Sequence, residues 1–280
     1  MRLLKRRADG SFSLITFTTS NVLRYAILSH TWDADSQEVT YQDITCGTGS
    51  SKTGYRKIGF CADQAEEDGL EYIWVDSCCI DKSNSSELTE AINSMYRWYS
   101  EAAKCYVYLS DVSTDYQHDS SQHQWDQSFS QSRWFQRGWT LQELLAPSSV
   151  EFFSRDGQRL GDKGTLESQI SQVTGIASQA LRGAPMSQFS VEERMSWAAD
   201  RQTTKEEDKA YSLLGIFEVH MPLIYGEGQR NSFRRLREEI EKRLNFNESD
   251  GESSLTVGRM EQFRMGMFYL THIAAHLIYN

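Results

Sequence analysis

Residues 72–112 read YIWVDSCCIDKSNSSELTEAINSMYRWYSEAAKCYVYLSDV. Two short apolar runs, Tyr72–Asp76 and Cys105–Ser110, flank a stretch in which Leu88, Ile92, Met95 and Tyr99 recur at helical spacing and so form one buried stripe. Strand, helix, strand is the unit of a parallel sheet, because parallel neighbours need a crossover of a dozen or more residues. The same step comes before it. An apolar run at Tyr25–Ser29 is followed by a second helical stripe, Ile58, Cys61, Ala62 and Ala65, which ends at Asp68-Gly69, a usual helix stop. Val150–Phe153 supplies a fourth strand. The reading is an α/β core over about residues 22–155, a parallel sheet flanked by helices.

Outward from that core the pattern changes. Residues 111–130 turn polar and predict a surface insertion on which the core does not depend. From about residue 160 to 243 the chain reads as a mainly helical elaboration, with Ser190-x-x-Glu193 and Thr204-x-x-Glu207 at capping-box spacing. NFNESDGESS, after Leu244, reads as a linker. The apolar run MGMFYLTHIAAHLIYN that ends the sequence is short for a bilayer span and predicts a terminal helix or partner contact. The organisation is thus one domain over 1–243, followed by a linker and apolar tail over 244–280.

With 39 acidic against 29 basic residues, the net charge of −10 argues against general affinity for nucleic acid or anionic membranes. Five cysteines without a C-x-x-C pair write no disulfide framework and no metal site. The opening MRLLKRRADG lacks the apolar stretch of a secretory signal, which leaves a cytoplasmic location as the expectation.

The runs YAILSHTW (25–32), GYRKI (54–58), YIWVDSCCIDK (72–82), EAINSMYRWY (90–99), CYVYLSDV (105–112), SRWFQRGWTLQELLAP (132–147), RMSWAADRQTTKEEDKAYSLLGIF (194–217) and MPLIYGEG (221–228) resemble, in order, the fungal HET (heterokaryon incompatibility) family. The resemblance covers about residues 1–243. It implies a trigger of programmed cell death after non-self recognition, acting with an upstream recognition protein that the sequence does not name. A more remote resemblance is to Toll/interleukin-1 receptor (TIR) domains, where a helix bearing W-x-x-x-E follows a strand ending in Leu-Ser; here the motif runs from Trp139 to Glu143. That resemblance implies a flavodoxin-like fold, self-association and cleavage of the nicotinamide–ribose bond of NAD or NADP. NAD(P) is then substrate rather than cofactor, and Glu143 is the catalytic carboxylate.

The chemistry suits one carboxylate and no metal. The nicotinamide ring is already a cationic leaving group, and the transition state resembles an oxocarbenium ion that a glutamate can stabilise. In an open α/β sheet, ligands bind beyond the carboxyl ends of the strands, which makes Ser29, His30, Trp32, Asp76 and Cys78 candidates for substrate binding. Arg133, Trp134 and Trp139 join them from the motif region. Each has a plainer structural reading. Glu143 can be an ordinary paired glutamate, Trp134 and Trp139 core aromatics, Arg133 half of a surface ion pair, His30 a satisfied structural histidine and Asp81 a cap. Two further functions stay open: a non-enzymatic death adaptor acting by self-association or partner binding, and a cysteine hydrolase using Cys78 or Cys79 with His30.

Overall fold

Six consecutive buried residues, Tyr25–His30, form a strand that is buried on both faces, as a continuous apolar run in a parallel sheet should be. In the computed structural model, which describes residues 1–17, 24–114 and 125–249, this strand is β3. Before it come β1 (Arg2–Arg6) and β2 (Phe12–Thr16), and after it β4 (Tyr72–Trp74), β5 (Lys104–Leu109), β6 (Val150–Ser154) and β7 (Arg159–Asp162). Among the described residues these seven make one sheet, in the order β2-β1-β4-β3-β5-β6-β7. Strands β4, β3, β5 and β6 pair in parallel. They are the four strands expected from the sequence, and their order, second-first-third-fourth, is that of a flavodoxin-like sheet.

The sheet is mixed rather than purely parallel, because a hairpin extends it at each edge. β1 lies antiparallel to both β2 and β4, and β7 lies antiparallel to β6. Each hairpin turns at an Asp-Gly pair, Asp9-Gly10 and Asp156-Gly157. Both glycines take a positive φ, +81° and +80°, a conformation that costs a residue with a Cβ. In β1 the hydrophobic pattern is faint because only Leu3 and Leu4 are buried between charged neighbours, an arrangement suited to a strand near a sheet edge.

The helices are α1 (Tyr41–Cys46), α2 (Thr53–Glu67), α3 (Asp76–Cys79), α4 (Ser85–Glu101), α5 (Asp126–Ser130), α6 (Thr140–Leu145), α7 (Glu167–Thr174), α8 (Ser178–Leu181), α9 (Val191–Ser196), α10 (Asp208–Tyr211) and α11 (Gly228–Ser249). α2 covers the face from which Tyr106 and Tyr108 project: Tyr106 donates to Gln64 O, and the Tyr108 ring meets Phe60. Cys105 points the other way, to α6, where its thiol donates to Glu143 O at 3.8 Å. α4 lies with α6, its Tyr99 hydroxyl donating to Leu28 O and its Trp98 ring packed edge-on to Trp74. The expected stripes are on these faces. Ile58, Cys61, Ala62 and Ala65 are buried, as are Ile92, Met95 and Tyr99, with Leu88 half-buried beside them.

Three expectations change. Phe129, inside the supposedly dispensable polar segment, has no exposed surface and packs against Phe135 and Phe152, so that segment does contribute to the core; residues 115–124 of it lie outside the described residues. Ser190 caps α9 as its spacing predicts, but Thr204 caps nothing. The Glu207 carboxylate instead accepts from Gly226 N and Gly228 N, turning the intended box into a tether for a distant loop. α11 runs on to Ser249, past the point where a linker was expected. Residues 250–280, including the apolar run, lie outside the described residues.

Candidate functional site

α6 is only six residues long, and every one of them is buried. Glu143 on this helix therefore cannot reach bulk water by turning outward, and it is 6% exposed. Ser29, next to the end of β3, donates its hydroxyl to Glu143 Oε2 at 2.5 Å and accepts from Trp134 Nε1 at 2.8 Å. The central strand, helix α6 and the preceding turn thus meet in one chain of hydrogen bonds. Burial pushes the Glu143 carboxyl up, the negative charge of Asp76 pushes it further, and Ser29, Tyr99 and Arg137 partly offset both, leaving it at about 8. A carboxyl bound by hydroxyls rather than by a cation, at the carboxyl end of the central strand, is where perturbed functional acids are found.

Trp134 is placed by a turn that the sequence builds locally. Ser132 donates its hydroxyl to Asp111 Oδ1 at 2.7 Å and accepts from Trp134 N, while Asp111 Oδ2 accepts from Arg133 N at 2.8 Å. Thr140, the first residue of α6, donates to Trp134 O at 2.6 Å. Gly138 joins turn to helix, and a Cβ there would meet Thr203 Cγ2 at 2.5 Å, so only glycine allows the helical half to pack this closely. Arg201 completes the joint, donating to Arg137 O, Thr140 Oγ1 and Trp197 O.

A second, charged layer adjoins this one. His30 is buried, with Nε2 3.6 Å from Glu38 Oε2 and 4.0 Å from Asp76 Oδ1, and neither ring nitrogen makes a hydrogen bond among the described residues. Glu38 also takes a 2.5 Å contact from Lys57 Nζ, which donates to Thr31 O and pairs with Asp33 at 2.9 Å. Burial alone would raise the Glu38 carboxyl; His30 and Lys57 beside it hold it well below the usual carboxylate range. Asp76 accepts from Trp32 Nε1 at 3.0 Å, and the Trp32 ring, 37% exposed, lies under Lys82 Nζ at 3.5 Å from its centroid.

The structure therefore gathers Ser29, Glu143 and Trp134 directly, and His30, Trp32 and Asp76 around them. Trp139 is half-buried, its Nε1 donating to Asp208 Oδ2 at 3.3 Å. Arg133 points outward, mostly exposed and 3.5 Å from Asp111. Cys78 is fully buried among apolar neighbours, and burial, with Cys79 beside it, pushes its thiol well above the ordinary range, which suppresses the thiolate that a nucleophile needs. Asp81 accepts from Ser83 N and Ser83 Oγ, as a cap does. Glu38, Lys57 and Tyr99 were not foreseen at the site, since each reaches it only through tertiary packing. A cavity of about 750 Å³ lies apart from all of these, between the loop Leu145–Ser149 and the segment Leu181–Met186, and none of the predicted site residues lines it. Among the described residues no helix is long and apolar enough to cross a membrane, and no group of three or more potential ligands could hold a metal ion.

Comparison with known proteins bears on the first part of this framework. The profile of the heterokaryon incompatibility protein (HET) family matches residues 25–123, from the start of β3 into the polar segment. The chain is 58% identical over 243 residues to the vegetative incompatibility protein HET-E-1 of Podospora anserina, covering 86% of this chain and 18% of that protein. It spans less than a fifth of the length of that relative. No solved structure matches it.

Proposed function

The chain carries a heterokaryon incompatibility (HET) domain, and with that as premise we propose that it acts in heterokaryon incompatibility as a cell-death effector that cleaves the nicotinamide–ribose bond of NAD or NADP. One observation carries the enzymatic part: Glu143 is buried at the carboxyl end of the central strand, held by Ser29 rather than neutralised by a cation, with its carboxyl raised to about 8.

A cationic ring brought beside such a group favours its ionised form, so substrate binding itself supplies the carboxylate. As the glycosidic C–N bond breaks, its electron pair goes to the nicotinamide nitrogen and positive charge grows on the ribose. Glu143 faces that charge at low dielectric, where a carboxylate is most effective. Water then adds to the ribose carbon and releases a proton. Ser29 and Trp134 orient the carboxyl, and Asp76 adds negative charge on the side where the ring is cationic. The whole protein is the natural level for the adaptor reading, which keeps one observation in its favour: 6% exposure leaves Glu143 little surface through which to meet a substrate before the site opens.

Purified protein at high concentration, incubated with NAD or NADP, is expected to release nicotinamide, and Glu143→Gln, which keeps the shape of the side chain, is expected to release none while melting no lower than the parent. Toxicity that survives Glu143→Gln without NAD loss would establish the adaptor instead.

A further inference from the structure

The cavity of about 750 Å³ that follows α6 takes no part in the site described above, and its wall holds a buried cation without a counterion. Lys163, which follows β7, is 8% exposed and donates from Nζ to Leu144 O at 3.2 Å and to Pro147 O at 2.7 Å. Among the described residues no carboxylate comes within ion-pair distance of that ammonium. The other charges of the wall are matched. Asp162 pairs with Arg159 at 2.9 Å, Arg182 holds both carboxylate oxygens of Glu167 at 2.6 and 2.7 Å, and Glu218 pairs with Arg243. Lys163 therefore leaves the wall with one positive charge to spare.

A buried cation left alone is costly, and burial pushes the Lys163 ammonium below the ordinary lysine range. An ammonium has three donors, and the two carbonyls occupy two of them. Leu145, Pro147, Val150, Leu181 and Met186 add apolar surface to the wall. Tyr96, Ser148 and Ser149 also line it, and their hydroxyls make no hydrogen bond among the described residues. A cavity of this volume, with apolar surface, a few free polar groups and one unmatched charge, suits a small organic ligand. We propose that it binds a small amphipathic monocarboxylate, with the single negative charge on Lys163 and the hydrocarbon part against the apolar wall. One charge answers one charge, since a second on the ligand would find Arg182 already committed to Glu167. The site draws on both halves of the molecule, Tyr96 coming from α4 and Leu181 from α8, and it stands independently of the nucleotide-cleaving reading.

The full chain would be titrated calorimetrically with octanoate, with 1-octanol, which has the same hydrocarbon and no charge, and with octylammonium, which reverses the charge. Octanoate is expected to bind about tenfold more tightly than octanol, the size of one hydrogen bond to a charged group, and octylammonium no better than octanol. Lys163→Met removes the charge and should bring octanoate down to the affinity of octanol. Ala184→Trp fills the cavity from the segment facing the Leu145–Ser149 loop and leaves Lys163 in place. It should weaken octanoate and octanol alike by about tenfold, through lost apolar contact, and it decides the matter even where the methionine variant folds poorly. Octanoate that fails to bind, that binds no better than octanol, or that keeps its affinity in either folded variant overturns the proposal.

Discussion

Glu143 and Glu38 are buried carboxyls whose environments push them in opposite directions, and pH should separate them. Glu143 stands at about 8 in the fold against 4.5 as the unperturbed value, so between those limits the native state holds a proton that the unfolded chain has released. Its contribution to stability is complete below about pH 4.5 and is lost as pH rises through 8. Unfolding by urea at pH 5 and pH 9 should therefore show the native protein losing on the order of 4 kcal/mol relative to Glu143→Gln; parallel profiles for the two would mean that the carboxyl is not perturbed. Glu38, held low, works the other way, adding stability above the unfolded value that disappears on acidification. Lys57→Met leaves the buried Glu38 carboxylate without its main partner and should cost about 3 kcal/mol in the same measurement at pH 7. At this scale the sequence spoke clearly about some residues. Glu143, Ser29 and Asp76 were legible because a motif and the strand ends placed them; Glu38 and Lys57 were not, since nothing in EVTY or YRKI says that two opposite charges 19 positions apart will be buried against each other.

Elements with their own hydrophobic period were legible, and elements that borrow their stability were not. α2 and α4 declare themselves through stripes that the sheet then buries. α6 was expected only from the W-x-x-x-E motif, because six residues surrounded on every side have no solvent face to set off a stripe. The β1–β2 hairpin was passed over because charges dilute its apolar residues, although Asp9-Gly10 signals the turn. The contact between α4 and the helical half turns on Gly215, where a Cβ would stand 2.1 Å from Tyr96 Cβ. Neither backbone can yield that distance cheaply, so Gly215→Ala is expected to destabilise by about 3 kcal/mol, read as a lowered urea midpoint; an unchanged midpoint would show that the two elements are not packed this closely.

The whole molecule is held across its two halves by backbone as well as side chains: Gly138 N donates to Gln202 O, Gln202 N donates to Gln136 O, and Arg201 is spent on Arg137 O and Thr140. Since these bonds close around α6, the helical half is part of the site's wall and not an appendage. Residues 1–249 should unfold in one transition, with far-ultraviolet and near-ultraviolet circular dichroism coinciding; a fragment ending near residue 155 should fail to show the near-ultraviolet signal of packed tryptophans, and a fragment that retained it would prove the α/β core independent. The sequence by itself determined the parallel core, the family and the motif glutamate, because these rest on local periodicity and on residue order, which are properties of a string. Only the tertiary structure decided that Glu143 is buried and bound by Ser29, and that a charged layer of His30, Glu38 and Lys57 adjoins it. Burial, dielectric and the meeting of distant charges are set by the packing of elements in space, and they have no period along the chain to be read.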